Sequence, residues 1–536
     1  MSIVDFKKLC VLNRLHSFFY GLLAGLLLVF AWPVFPFTPL IFLAWVPVFY
    51  LIDREEKRIR FFWFGYLAMF IWNVGTTWWI WNSTAPGGIA AFLFNSLFMC
   101  VPLMGFHIFK TKYGQRAGWI AFVTFWLGFE YIHLTWQLSW PWLTLGNVFA
   151  THPAWVQWYE YTGVSGGSLW VLLVNIFLYH FLRSKEKAVK LKYAAIALLL
   201  LVVPFALSML MAPKPDVTAT LSNVIIVQPN IDPYTEKFDA GSTSEQLHKL
   251  ISLSEETLDS NTRLVLWPET ALPVAVWQDQ VAQSAYYKTV FDFVNRHPNI
   301  TLETGIETHK NYGTEKATNT ARKDEQSGNY YDVFNAAISI KANEPLQFYN
   351  KSKLVPGVET LPDFLLWMGA VFEQFGGTAG GYGHDKEAKA FSIKGNPYIT
   401  APIICYESIY GDYVTSYVQK GATLLTIMTN DGWWGNTAGH KQHLQYAKLR
   451  AIETRKWVAR SANTGISAVI DNTGEIIQSR KWNEAAFIKF PIPPHEGQTF
   501  YVRNGSIIFK LAIFLTLILL GFHWVMLARK RFTNRK

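Results

Sequence analysis

Cysteine is nearly absent from this chain: three in 536 residues, at positions 10, 100 and 405. Two of them fall in the hydrophobic first part, which leaves Cys405 alone in a polar stretch of nearly three hundred residues. A lone thiol has no partner for a structural bridge, so it is either a small buried hydrophobe or present for its chemistry. Charge is sparse too, with Asp, Glu, Lys and Arg at 16% against 51% hydrophobic residues. A mean hydropathy of only +0.15 nevertheless excludes a protein that is membrane throughout. Lys and Arg are missing altogether from Asn82–Gly88 and from Trp136–Ser165. No internal repeat is evident, and no small-x-small cleavage pattern follows the first apolar stretch, which therefore reads as retained.

Two unlike parts produce the average. Up to about Met211 apolar stretches alternate with short polar loops; Pro213 to about Gly497 has ordinary soluble composition; Gly505–Ala528 is apolar again. A helix crossing a bilayer needs roughly 20 apolar residues. About eight spans are expected, near 17–34, 37–52, 60–82, 88–108, 117–136, 165–182, 193–212 and 505–528. The expected organisation is a transmembrane domain over 1–212, a catalytic domain over 213–497, and a last span with a basic tail over 498–536.

Loop charge orients these spans, because Lys and Arg beside a span stay on the cytoplasmic side. Basic groups recur at every second loop: Lys7, Lys8 and Arg14; Arg54, Lys57, Arg58 and Arg60; Lys110, Lys112 and Arg116; Lys185, Lys187, Lys190 and Lys192. Arg529, Lys530, Arg531, Arg535 and Lys536 close the chain. Both termini are thus expected in the cytoplasm, and the polar stretch between spans seven and eight on the other side. The net charge of +10 belongs largely to these loops, so it argues for anionic lipid rather than nucleic acid. Glu130 and His133 lie at the outer end of the fifth span, where an interface position is expected. Trp136, Trp140, Trp142, Trp155, Trp158, Tyr159 and Tyr161 around them read as an aromatic belt.

In the polar stretch β-branched runs alternate with helical patterns, the signature of a mixed α/β sandwich. Strands are expected at Asn223–Gln228, Arg263–Trp267, Ile300–Thr304, Ala336–Ile340, Pro402–Cys405, Leu424–Thr429 and Ile466–Ile470, and helices at Ser244–Leu258, Ser408–Gln419 and His440–Arg460. Three polar groups sit where such runs end: Glu269 after Leu264-Val265-Leu266-Trp267-Pro268, Lys351 after Tyr349-Asn350, and Cys405 after Ile403-Ile404. Strand ends are where α/β folds place active sites. A thiol nucleophile needs a base for its proton and a cation for the developing oxyanion, and Glu, Lys and Cys supply that set. A helix starting at the thiol would add free N–H groups and a positive dipole end.

Bland readings stand beside these. Glu269 or Lys351 alone would be an ordinary solvated side chain. His440 and His443 share one helix face but lack a third metal ligand. Gly376-Gly377-Thr378-Ala379-Gly380-Gly381 lacks the lysine of a phosphate loop and reads as a hinge. The apolar Leu361–Phe375 segment before it reads equally as a lid dipping into the bilayer or as a buried helix.

With these flanks, the order Glu, Lys, Cys resembles the nitrilase (carbon-nitrogen hydrolase) superfamily, and the membrane frame is similar to that of its apolipoprotein N-acyltransferase branch. The matching pieces are Val227-Gln228-Pro229-Asn230-Ile231, Trp267-Pro268-Glu269-Thr270, the Asn335 strand, Lys351–Glu359, Ile404-Cys405-Tyr406-Glu407, Thr429–Gly435, Arg450-Ala451-Ile452-Glu453 and Asn463-Thr464-Gly465-Ile466. Trp140-Pro141-Trp142-Leu143 and Tyr161–Gly166 fit in the membrane part. The resemblance implies an α-β-β-α sandwich outside the cell membrane, with Glu269 as general base, Lys351 as oxyanion stabiliser and Cys405 as nucleophile. It further implies Glu359, Tyr406, Glu407 and Asn335 as supporting residues, and Phe238, Trp433 and Trp434 as substrate-binding residues. Two positions depart from the family: Pro356-Gly357-Val358-Glu359 stands where Pro-Phe-Gly-Glu is usual, and Phe238 where tryptophan is common.

The implied reaction moves a fatty acyl chain from a membrane phospholipid, through a thioester on Cys405, to the α-amine of a diacylglyceryl-cysteine on an apolipoprotein. No cofactor, metal or nucleic acid is expected, and the protein is expected to act as a monomer in the bacterial inner membrane with its catalytic domain in the periplasm. A membrane-tethered amidase would use the same three residues but gives the spans no role. A transporter or scaffold with a degenerate hydrolase domain would not need the intact set.

Overall fold

The computed structural model describes residues 3–213, 221–237, 239–369 and 381–533. Phe238 and most of the glycine-rich run lie outside the described residues, as do Arg535, Lys536 and residues 370–375 of the Leu361–Phe375 segment. The chain packs as two compact units. One comprises the residues up to Trp78, Pro86–Leu210 and those from Ser506; the other comprises Trp79–Ala85 and Met211–Gly505.

The first unit is helical. Among the described residues, five helices are long and apolar enough to cross a membrane: Arg14–Ala31, Ala85–Tyr113, Val164–Arg183, Lys187–Met211 and Ile507–Thr533. Arg58–Thr77 and Gln115–Thr135 are of similar length, at 20 and 21 residues. The stretch expected to span at 37–52 instead divides into a 3₁₀ turn, Thr38–Phe42, and a nine-residue helix, Val46–Arg54. At 1.5 Å per residue, the latter reaches only about half of a bilayer core. Pro39 and Pro47 sit in the first turns of these two pieces, where a missing N–H costs nothing.

Glu130 and His133 are buried within this unit. Glu130 accepts from the Trp126 indole at 3.0 Å and from the Leu145 amide at 2.8 Å. His133 joins Asn95 at 2.7 Å, and Asn95 donates to Asn73 at 2.6 Å. Each polar group thus has a partner away from water, which an apolar surrounding requires. Two members of the expected aromatic belt are likewise interior: Trp142 is buried, and the buried Tyr159 donates to the Gly146 carbonyl at 2.8 Å. A Cβ on Gly146 would meet the Val164 carbonyl at 2.0 Å, so only glycine lets these two segments touch.

The second unit is an α-β-β-α sandwich. Its larger sheet has the order β14-β1-β2-β4-β6-β5, with β3 on β4 and β7 on β6. These strands are β1 Ser222–Gln228, β2 Thr262–Leu266, β3 Leu272–Trp277, β4 Thr301–Gly313, β5 Arg322–Lys323, β6 Tyr330–Ile340, β7 Gln347–Asn350 and β14 Ala486–Ile492. The smaller sheet runs β13-β12-β11-β10-β9-β8. Its strands are β8 Phe391–Ser392, β9 Ile399–Ile404, β10 Leu424–Thr429, β11 Val458–Ala462, β12 Ala468–Ile470 and β13 Ile476–Ser479. Alternation along β1 shows the layering: Val224 and Ile226 pack with Ile403 and Ile427 of the other sheet, while Ile225 and Val227 pack with Leu247 and Leu250 of helix Thr243–Glu255 and Phe293 of helix Lys288–Arg296. Helices Gly411–Gln419 and Ala438–Thr454 supply Val414, Tyr417, Leu444 and Ala447 to the smaller sheet's core.

Two expected helices end differently. His440–Arg460 stops at Thr454, because Arg455 turns left-handed at φ +54° and the chain re-enters the sheet as β11, parallel to β10. The helix expected from Ser408 is preceded by a 3₁₀ turn, Cys405–Ile409, and begins properly at Gly411. The nucleophile candidate therefore opens a single tight turn rather than a long helix.

Candidate active site

Parallel pairing of β1 with β2 and of β2 with β4 brings the ends of these strands to one edge of the larger sheet. Beyond β2, Trp267 and Pro268 lead into a tight bend at Glu269-Thr270, where Thr270 has φ +47°. The bend lies against Gly305 of β4: a Cβ there would stand 2.6 Å from the Glu269 Cα. Only glycine admits that approach, and the bend turns the Glu269 carboxylate inward.

Glu269 is buried, and both carboxylate oxygens are engaged. Oε1 accepts from Lys351 Nζ at 3.1 Å and Asn335 Nδ2 at 2.8 Å, and Oε2 accepts from the Asn430 amide at 3.1 Å. Lys351, immediately after β7, is fully buried and also donates to Glu359 Oε1 at 2.8 Å. Asn335 in β6 donates to Glu359 at 3.1 Å, and its carbonyl accepts the Lys351 amide at 2.9 Å. Glu359 Oε2 accepts from the Val355 amide at 2.8 Å. The altered Pro356-Gly357-Val358 turn thus still delivers this carboxylate to the lysine, with Gly357 at φ +83°.

Cys405 follows β9 on the other sheet with φ +49°, a strained left-handed conformation for a residue with a Cβ. Several buried groups hold it there. The Ser408 hydroxyl donates to the Cys405 carbonyl at 2.7 Å, and His443 Nε2 lies 3.1 Å from the same oxygen. His443 Nδ1 is bound to Asp431 at 2.9 Å, and Arg460 donates to Asp431 at 2.6 Å. Arg450 donates to the Ile409 carbonyl at the end of the turn and pairs with Glu453, each contact shorter than 3 Å. Glu407 accepts from the Ile404 amide at 2.9 Å and Tyr417 at 3.2 Å through one oxygen, and from Tyr349, Ser352 and Lys353 through the other. It therefore ties the strand before Cys405 to the segment carrying Lys351.

Electrostatics sets the resting proton. Burial, with the Glu269 and Asp431 charges, pushes the Cys405 thiol well above its ordinary range; Lys351 and Thr429 only partly oppose this. Burial also disfavours ionised Glu269, yet Lys351, Asn335 and Lys237 outweigh it and leave the carboxyl below its usual value. Burial opposes the Lys351 ammonium, but Glu269, Glu359 and Cys405 hold its proton well above the ordinary lysine range. The resting arrangement is carboxylate, ammonium and thiol, in which the carboxylate can accept a proton and the thiol still holds its own.

The structure thus brings together Glu269, Lys351, Glu359 and Asn335, with Cys405 in electrostatic range of Glu269 and Lys351, and Glu407 behind them. Tyr406 is buried edge-on to Tyr410. Trp434 is half-buried against Trp79 and the His443 ring, and Trp433 packs edge-on to Tyr234. Residues not singled out from sequence are the Asn430 amide, Asp431, Arg460, Tyr349 and Lys237. Asn430 and Asp431 sat inside a quoted motif, but a backbone N–H donor leaves no compositional trace. His443, on helix Ala438–Thr454, braces the Cys405 carbonyl.

The models of two families match the chain: the apolipoprotein N-acyltransferase N-terminal domain over residues 24–177 and carbon-nitrogen hydrolase over residues 224–499. An apolipoprotein N-acyltransferase of Chlorobaculum tepidum is 33% identical, covering 93% of this chain and 95% of that protein. Another, of Rickettsia typhi, is 27% identical over 95% of this chain and 97% of that protein. Among solved structures, an amidase from Nesterenkonia sp. overlaps 55% of this chain and 96% of its own at 14% identity and a TM-score of 0.35. On the hydrolase match and the near full-length relatives, the chain belongs to the apolipoprotein N-acyltransferase family, within the carbon-nitrogen hydrolases.

Proposed function

We propose that the protein transfers a fatty acyl chain from a membrane phospholipid to the α-amine of a diacylglyceryl-cysteine on an apolipoprotein, by way of a thioester on Cys405. The observation carrying this reading is the buried Glu269-Lys351-Glu359-Asn335 cluster, electrostatically coupled to a strained thiol, in a chain matching family members over 93% of its length. Glu269 accepts the thiol proton as sulfur attacks the ester carbonyl. The oxyanion is held by the Lys351 ammonium and the Tyr406 amide. As the tetrahedral centre collapses, Glu269 returns the proton to the leaving glycerol oxygen and a lysophospholipid departs. The acceptor amine then attacks the thioester, Glu269 takes its proton, and the thiolate leaves and is reprotonated. A thioester suits the relay because it remains reactive to an amine, and formation of a stable amide sets the direction.

Glu359 steers Lys351, Asn335 holds both carboxylates beside that lysine, Glu407 keeps the two halves of the site in register, and Phe238, Trp433 and Trp434 meet substrate. Residues 1–212 and 498–536 form the membrane part and 213–497 the catalytic part. The protein is a monomer of the bacterial inner membrane with about eight membrane segments, both termini in the cytoplasm and the catalytic part in the periplasm. The alternation of basic and Lys/Arg-free loops supports this orientation.

The test is the intact mass of the purified protein after incubation with phospholipid, with Cys405→Ala as control. A hydroxylamine-labile fatty-acyl adduct absent from the control is expected, and it should clear on addition of a diacylglyceryl-cysteine peptide. No adduct on protein whose Cys405 still alkylates would sink the transfer and favour a membrane-tethered amidase.

A further inference from the structure

A second lysine reaches this centre. Lys237 is 3% exposed, and its Nζ donates to the backbone carbonyl of Glu269 at 3.1 Å, while Lys351 holds the carboxylate of the same residue. Its own backbone is fixed. Asp232 accepts the Tyr234 and Thr235 amides at 2.8 Å to close the turn, the Lys237 amide donates to the Asp232 carbonyl at 3.0 Å, and Gln246 donates to the Glu236 carbonyl at 2.7 Å. A long, flexible, cationic side chain is rarely enclosed without charged company. Here the company is Glu269, Cys405 and Glu307, each of which favours the charged ammonium.

The charge count shows what this does. Glu269 and Glu359 share one ammonium, Lys351, so without Lys237 the buried cluster carries a net negative charge around the thiol. Moving the Cys405 proton to Glu269 leaves that total unchanged but relocates the anion to sulfur, where Lys351 is its one named cation from the triad. We propose that Lys237 is a second positioning cation of the site, anchoring the Glu269 bend through its carbonyl and offsetting the negative charge that builds on Cys405. The inference rests on the acyl-transfer reading for its purpose, though not for its test. Burial draws the Lys237 ammonium down to about 8 against those three charges, so its hold on the proton depends on the anions around it.

The experiment compares Lys237→Met, Lys237→Arg and the unaltered full-length protein in detergent, reading Cys405 alkylation by neutral iodoacetamide and anionic iodoacetate. Loss of a nearby cation should slow iodoacetate several-fold more than iodoacetamide in Lys237→Met, a ratio that a mere packing defect does not move. Lys237→Arg should keep the ratio within about twofold, because the charge remains. The acylation rate on phospholipid should fall at least tenfold in Lys237→Met, with little change in KM. An unchanged ratio in Lys237→Met, or Lys237→Arg as impaired as Lys237→Met, overturns the proposal. Should Lys237→Met fail to give monodisperse protein, Lys237→Gln is read by the same ratio. If unaltered protein forms no acyl adduct, the transfer reading fails while the alkylation ratio still decides the role of Lys237.

Discussion

The eight-stranded sheet carries Glu269 and Lys351 just beyond strand ends and Asn335 in the middle of β6, whereas the six-stranded sheet carries Cys405 and the Asn430 amide. The proposed base and oxyanion cation therefore come from one layer and the proposed nucleophile from the other. Neither sheet alone contains a reactive site, so chemistry depends on how the layers are fastened. The fastenings are polar and buried: Glu407 from the nucleophile's side reaches Tyr349, Ser352 and Lys353, and Glu303 of β4 reaches back to Thr400 and Thr426. The Ser461 hydroxyl donates to the Val227 carbonyl at 2.6 Å, and Tyr398 donates to the Ser222 and Ile492 carbonyls at 2.7 Å. Apolar packing between sheets tolerates sliding; directional hydrogen bonds across it do not.

The sharpest way to separate the two layers is to remove chemistry from one while leaving the other in place. Glu269→Gln should lower the acylation rate about 10³-fold, in the range for loss of a general base. Lys351→Met should cost about 10²- to 10³-fold through the oxyanion. Both should keep the Cys405 turn intact, so alkylation of Cys405 at high pH, where no base is needed, should stay near that of the unaltered protein. An alkylation rate that collapses in Glu269→Gln even at high pH would show that Glu269 also shapes the Cys405 turn, and the division between sheets would fail.

Loosening the fastening should cost less. In Glu407→Gln one end of the side chain becomes an amide donor facing donors, either Ile404 and Tyr417 or Tyr349, Ser352 and Lys353. Donors left unpaired in a buried place cost about 1–3 kcal/mol, and the layers shift to relieve them. Activity should fall about 10- to 100-fold and the melting temperature should drop, the two changing together. A drop in activity with an unchanged melt would instead give Glu407 a direct chemical role.

Most of the site was legible in sequence because its parts are side chains at the ends of short apolar runs. The runs preceding Glu269 and Cys405 are strands with nearly the expected limits, and Leu424–Thr429 is β10 itself. What escaped reading is non-local or made by backbone. Strand β14 exists through antiparallel pairing with β1 across more than two hundred residues of chain. Val458–Ala462 followed a strong helical pattern without a proline or glycine, so the helix was expected to run on to Arg460, and the left-handed Arg455 that ends it carries no compositional mark. In the helical unit, buried Asn73, Asn95 and His133 satisfy one another, which hydropathy alone cannot distinguish from an interface. Lys237 was overlooked because a lysine in a polar turn is normally solvated, and its burial depends on the Glu269 bend meeting it.

The mildest test concerns the second fastening, where the sheets are joined by a carboxyl with few donors. Glu303 is fully buried, and burial pushes it up to about 7, with only the Thr400 and Thr426 hydroxyls opposing. Folded protein therefore keeps this proton at pH values where the unfolded chain has lost it. The stabilisation is complete below the unfolded value near 4.5 and is lost progressively as pH rises to about 7, after which it is flat. Over that window the loss from this group is on the order of 3 kcal/mol. Glu303→Gln cannot titrate but keeps an oxygen for the threonines. The melting temperature of the unaltered protein should thus fall more steeply between pH 5 and 7.5 than that of Glu303→Gln, all other titrating groups being common to both. Parallel curves would mean that Glu303 is ionised in the fold, and that the two sheets are held at this point by a charge rather than by a shared proton.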